Sequence, residues 1–221
     1  MTSGTTSFPE RFTKIDDLTR SDHYYLNADD VCLFLGEYTA QMGFAHSATN
    51  QLIINFKKPM DCRGRPEWRY KKQNIVKAAQ ALYRAFGKAD LQAYTFVPVP
   101  PSKARTDPMY DNRLTVMLKM VSEFVHQHRG GHLDVREMVI QTQSTGAVHD
   151  SDIRPEPEEL ADLYEIQHKM LADAKDNIVI CDDVLTTGCH FGAMEMVILE
   201  ALPEANIRGM FLARRVTPSS G

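Results

Sequence analysis

Residues Ile178, Val179, Ile180 and Cys181 are apolar without alternation, and they run directly into Asp182 and Asp183. A strand that alternates apolar and polar residues buries one face, whereas an unbroken apolar run of this length buries both. Burial on both faces is the habit of a parallel sheet covered by helices above and below. The two carboxylates are expected where that strand leaves the sheet. Val184, Leu185, Thr186, Thr187, Gly188, Cys189 and His190 follow, and then a helix-like segment, 191–202. One stretch thus sets the layer architecture and marks one end of the sheet.

The chain around it alternates in the same sense. Segment 94–99 reads as a strand entering a Pro-rich turn, and 112–128 as a helix closed by Gly130 and Gly131. Strand 137–141, polar loop 142–155 and helix 156–172 come next, the helix carrying Leu160, Leu163, Tyr164, Gln167 and Met170. A final strand is read at 207–213. The expected fold is α/β, a parallel twisted sheet with helices on both faces, within a core spanning 91–215. Residues 1–90 are expected to form a mostly helical N-terminal extension of the same single domain. There, 27–42 is predicted helical, because Asn27 or Asp29 can cap it and Val31, Phe34, Leu35 and Tyr38 recur on one face. A second amphipathic helix is read at 74–86 from Ile75, Ala78, Ala79, Leu82 and Phe86, ended by Gly87. The apolar run 52–56 fits either element. Both ends, 1–9 and 217–221, read as frayed.

Composition excludes several function classes. The 221 residues suit one domain, with 43% hydrophobic and 24% charged residues, as in ordinary globular chains. A net charge of −4 gives no bulk attraction to nucleic acid or to an anionic membrane. The basic stretch 57–72, with Trp68 and Tyr70 interleaved, has the composition of a nucleic-acid surface. Asp61 and Glu67 dilute it, and it is read as a solvated region whose aromatics pack on the core. No apolar run approaches a membrane span, and the N-terminus lacks the pattern of a secretory signal. Cys32, Cys62, Cys181 and Cys189 form no C-x-x-C pair, so they are read as free thiols of a reducing compartment, the cytoplasm.

The residues beyond the apolar strand fit a definite ligand chemistry. Gly188 lets backbone N–H groups approach an anion, and the start of the next helix adds its positive end, so the loop 186–190 is suited to phosphate. The hydroxyls of Thr186 and Thr187 add neutral donors. Paired carboxylates repel phosphate, but they accept hydrogen bonds from vicinal sugar hydroxyls and can hold Mg²⁺ directly or through water. A ligand with ribose hydroxyls beside a 5-phosphate satisfies both halves. The plain alternative is a helix start with solvated acids. In parallel sheets ligands bind beyond the carboxyl ends of the strands, which also draws attention to the loops 98–105 and 142–154.

The order apolar run, two acids, two apolar residues, then Thr-Thr-Gly resembles the 5-phosphoribosyl-1-diphosphate (PRPP) signature of type I phosphoribosyltransferases. The succession Val97-Pro98-Val99-Pro100, then Asn112-Arg113, then Gln141-Thr142-Gln143, then Arg154 is similar to the competence-associated, ComF-type branch of that family, although the cysteine-rich zinc ribbon common there is missing. The likeness spans about residues 52–214, and its specific part is the segment 182–188. It implies that Asp182 and Asp183 hold the ribose hydroxyls and Mg²⁺, and that Thr186, Thr187, Gly188, Cys189 and His190 wrap the 5-phosphate. It also implies that Ser102, Lys103, Arg105 and Arg113 face the diphosphate, with Lys103 supporting the leaving group, and that Thr142, Gln143 and Arg154 border the acceptor or a lid.

Two departures bear on mechanism. His190 stands where many relatives carry a hydroxyl; a neutral imidazole would donate one hydrogen bond, and a protonated one would attract phosphate. Thr186 stands where some carry an acid that acts as a base towards a purine, which disfavours hypoxanthine/guanine-type chemistry. The resemblance implies either phosphoribosyl transfer to a nitrogen acceptor or a non-catalytic sensor of PRPP or nucleotide. Related enzymes are commonly dimers. The acceptor is not legible in the residues.

Overall fold

A computed structural model describes residues 7–145 and 155–217. Six strands form one sheet in the order β1 (Thr13–Lys14), β2 (Val31–Thr39), β8 (Asn206–Val216), β7 (Asn177–Leu185), β3 (Tyr94–Pro98), β4 (Asp134–Val135). All neighbours pair in parallel except the short β1, which runs antiparallel to β2. The fold is α/β around a mostly parallel, mixed sheet. The longer helices are α2 (Ala48–Phe56), α3 (Trp68–Ala85), α4 (Arg113–Arg129) and α6 (Cys189–Ala201), with short α1 (Asp17–Arg20) and α5 (Pro157–Ala161). Ile178, Ile180, Val97, Phe96 and Ala213 of the central strands are fully or almost fully buried, as the unbroken apolar runs require.

The helix expected at 27–42 is instead β2, which pairs along its length with β8 from Val31↔Arg208 to Thr39↔Val216. Its spacing of apolar residues fits a helical face, but Val31 to Leu35 is also a continuous apolar run, and burial on both sides of a sheet favours the strand. The N-terminal third is therefore not a helical extension. It contributes two strands to the sheet, and the undecided run 52–56 lies within α2, capped by Ser47. Helix α3 begins six residues before the expected start at 74.

The helix expected at 156–172 breaks after Ala161. Pro157 opens α5 at its first turn, where a missing N–H costs nothing, and Tyr164–Ile166 then forms β6. Tyr164 is buried, Glu165 exposed and Ile166 half-buried, the period of a half-buried strand. Strand β5 (Val139–Gln141) pairs antiparallel with β6 in a separate two-stranded sheet, so the strand expected at 137–141 does not join the main one. Residues 1–6, 146–154 and 218–221 lie outside the described residues, and with them Arg154 and most of both expected frayed ends.

Candidate functional site at the carboxyl end of β7

Asp182 and Asp183 lie within β7 rather than beyond it, since Asp182 pairs with Phe211 and Leu185 with Arg214 of β8. Successive side chains of a strand leave opposite faces, and the partners of the two acids diverge accordingly. Asp183 is 2% exposed; its Oδ1 accepts from Lys57 Nζ at 2.9 Å, and its Oδ2 from Arg113 Nε at 3.0 Å and Nη2 at 2.5 Å. Asp182 is half-buried and accepts the backbone N–H of Asp183 at 2.7 Å. Burial alone would push the Asp183 carboxyl up, but the charges of Lys57 and Arg113 outweigh it and hold the group well below the usual carboxylate range. Asp182 moves the other way, raised by burial and then by the negative charge of Asp183.

The cations on Asp183 belong to a longer ladder. Arg113 opens α4 and also donates from Nη1 to Asp111 Oδ2 at 2.9 Å. Asp111 in turn receives Lys71 Nζ at 2.6 Å, a lysine whose side chain is only 3% exposed. Lys71 also donates to the carbonyls of Phe56 at 3.1 Å and Lys58 at 2.8 Å, so it fixes the turn that carries Lys57. Burial lowers the Lys71 pKa, with Asp111 opposing. The basic stretch 57–72 therefore commits two of its lysines to this ladder, Lys71 buried and Lys57 exposed, while Tyr70 is exposed and Trp68 half-buried. Sequence reasoning missed Lys57, Lys71 and Asp111. Lys71 left a trace, because it continues the buried stripe of Asn74, Ile75, Ala78 and Leu82 at helical spacing.

The loop after β7 is shorter than the expected 186–190, since Cys189 and His190 already belong to α6, and an N-terminal strap covers part of it. Gly188 caps α6 with φ +93, and a Cβ there would stand 3.1 Å from Leu26 Cδ2. Tyr25 donates its N–H to the Thr187 carbonyl at 2.9 Å, and the buried ring of His23 pairs through Nδ1 with the Thr186 carbonyl. The first-turn amides of α6 have no acceptor within their own helix, as at any helix start. A cavity of about 210 Å³ opens beside Thr186 and Thr187, lined also by Asp22, Tyr24, Arg215 and Thr217. Cys189 turns its Sγ to the Pro155 carbonyl at 3.2 Å, and burial pushes its thiol up to about 11.

His190 is half-buried, 3.0 Å from the Tyr164 hydroxyl through Nδ1. Burial, followed by the charge of Lys57, pulls its pKa down to about 4. A ring held neutral in this way favours the single neutral donor over the charged form before any phosphate is bound. Burial, then the charge of Asp182, raises the Tyr164 pKa well above the usual phenol range.

The Pro-rich loop is stapled to the segment after β5. Lys103 Nζ donates to the Thr145 carbonyl at 2.7 Å, and Arg105 pairs with Glu137 at 2.5 Å. The Ser102 carbonyl accepts from Gln141 Nε2 and from the Thr145 N–H, both at 2.9 Å. Thr142 bonds back to the Leu163 carbonyl, and the Gln143 carbonyl accepts from Gln141. Ser102, Lys103 and Gln143 are thus joined through Gln141 and Thr145, while Arg105 and Thr142 are held by Glu137 and Leu163. Arg113 is joined instead to the acids.

Among the described residues no cluster of three or more His, Cys, Asp or Glu could enclose a metal. Asp182 and Asp183 offer hard oxygen donors, which suits an ion that keeps several waters and takes one or two carboxylates together with substrate phosphates. The two carboxylates fit a Mg²⁺ ion that arrives with its ligand. No helix among the described residues is long and apolar enough to cross a membrane. No family model and no curated protein matches the chain.

Proposed function

We propose that the chain binds PRPP with Mg²⁺ at the carboxyl end of β7, as a phosphoribosyltransferase-like protein. The observation that carries this reading is one continuous element. A doubly buried parallel strand delivers Asp182 and Asp183, and five residues after Asp183 a left-handed Gly188 opens α6. Acids for sugar hydroxyls and a loop for phosphate thereby stand within one strand–loop–helix unit, at the sheet edge where ligands of parallel α/β proteins bind.

In this reading Asp182, the less enclosed acid, meets the ribose hydroxyls. The Thr186–Gly188 loop takes the 5-phosphate, with the cavity beside Thr186 and Thr187 giving it room. Bound Mg²⁺ would neutralise the diphosphate and ease its departure. Lys103 and Arg105 are close enough in sequence to the end of β3 to turn from Thr145 and Glu137 to that diphosphate. The protein supplies position and charge, and a nitrogen acceptor attacks as the C1–diphosphate bond breaks, with diphosphate leaving. One observation favours a second reading, a sensor without turnover: both carboxylate oxygens of Asp183 are engaged within the protein. Following diphosphate release from PRPP across a panel of nucleobases and amines separates the two. Release with any acceptor supports transfer, and binding without release supports the sensor.

A further inference from the structure

The two cations on Asp183 are held very differently. Arg113 has a side chain 18% exposed, bonds both Asp183 and Asp111, and lies 5.8 Å from the Phe56 ring centroid. Asp111 is itself tied to the buried Lys71. Withdrawing Arg113 would take one of two cations from each of Asp183 and Asp111, which lie largely out of water, and that is costly. Lys57 has a side chain 46% exposed, and its ammonium pairs with Asp183 through one contact of 2.9 Å. Its backbone is fixed, by its own N–H on the Ile53 carbonyl and by Lys71 on the carbonyls at either side. Its four-carbon stem is not. A fixed backbone carrying a half-exposed side chain whose ammonium has a single carboxylate partner describes a group that can change partners without disturbing the fold.

We infer that Lys57 is an exchangeable counter-ion of Asp183, which leaves that carboxylate for a phosphate oxygen when a divalent cation enters with a sugar diphosphate. This rests on the reading of the site given above. The charge count supports it: Lys57, Arg113 and Lys71 balance Asp182, Asp183 and Asp111 even with all three acids ionised, so a divalent ion alone adds two uncompensated positive charges beside three cations. A polyphosphate alone brings its negative charge to the two carboxylates. Arriving together, ion and diphosphate largely cancel, the ion takes the Asp183 oxygen that Lys57 vacates, and Lys57 follows the phosphate. Metal and ligand then bind as a pair.

Mn²⁺ in place of Mg²⁺ makes this measurable by electron paramagnetic resonance, independently of turnover. The full chain and its Lys57→Met variant are titrated with Mn²⁺ alone and then with Mn²⁺ and PRPP together. Removing the lysine's charge should tighten Mn²⁺ alone by about tenfold or more and weaken the Mn²⁺–PRPP pair by about tenfold or more. Lys57→Arg, which keeps the charge, should bind Mn²⁺ alone as weakly as the parent. If the parent binds Mn²⁺–PRPP and Lys57→Met matches it in both titrations, the exchange is refuted while the PRPP reading stands. If the parent does not bind Mn²⁺–PRPP at all, the reading of the site falls and the exchange falls with it.

Discussion

Asp183→Asn changes one oxygen to an NH₂ group, and the structure makes it a severe substitution. Both carboxylate oxygens face cations, Lys57 on one side and Arg113 on the other. The amide can present its oxygen to only one of them and must turn its own N–H groups towards the other. Breaking a buried ion pair by removing one partner costs about 3–5 kcal/mol. Two features pull the figure to the low end: Lys57 can swing into water, and Arg113 keeps Asp111. A loss of about 3 kcal/mol is expected, a large share of a typical 5–15 kcal/mol of stability. With a urea m-value of about 2 kcal/mol/M, the midpoint should fall by about 1.5 M. Asp182→Asn should behave oppositely. Its carboxyl accepts one backbone N–H, which an amide oxygen keeps, and folding raises its pKa. An acid raised by folding contributes stability at low pH that is lost as pH rises through the ordinary carboxylate range and above it. At pH 7.5 the neutral amide should therefore be harmless or slightly stabilising. Urea unfolding followed by circular dichroism measures both. Asp183→Asn within about 0.5 kcal/mol of the parent would refute the ladder as described, as would equal losses for the two variants.

Two further outcomes follow from the loop. His190 has a folded pKa of about 4 against an unfolded value near 6.5, so the unfolded chain binds more protons between those values and stability falls as pH drops through that window. Relative to His190→Gln, the parent should lose on the order of 2–3 kcal/mol from pH 7 to pH 4, and a pH-independent difference between the two would contradict the buried neutral ring. Gly188→Ala should cost about 1–2 kcal/mol, because φ is +93 and the added methyl meets Leu26 at 3.1 Å; a variant as stable as the parent in urea would show that the cap tolerates a side chain.

The order β3, α4, β7, α6, β8 was legible because each element carries a single consistent pattern: continuous apolar runs for buried strands, spaced apolar residues and glycine stops for helices. β2 was not, because Val31, Phe34, Leu35 and Tyr38 satisfy a helical period while Val31 to Leu35 also satisfies a buried strand. Only the pairing with β8, some 177 residues away in the chain, decides between them. The acids and the Thr-Thr-Gly loop were found because their chemistry is local in sequence. Their pairing was not: Arg113 was assigned to the diphosphate and Lys57 to a solvated stretch, since the two stand 70 and 126 residues from Asp183. A long-range ion pair leaves no periodicity to read. The strap over the loop, His23 to Leu26, is likewise defined by hydrogen bonds to carbonyls, which any residue can offer.

Isothermal titration calorimetry of PRPP with Mg²⁺ against the parent chain and Asp182→Asn, both shown folded, tests the central claim most directly. Ribose 5-phosphate serves as the control that shares the sugar hydroxyls and the phosphate but lacks the diphosphate. The account expects saturable one-to-one binding of PRPP to the parent, weaker binding of ribose 5-phosphate, and loss of at least about tenfold in PRPP affinity in Asp182→Asn, equivalent to about 1.4 kcal/mol. No saturable binding of PRPP to the parent, or equal affinity in the folded variant, would contradict a sugar-phosphate site at the end of β7.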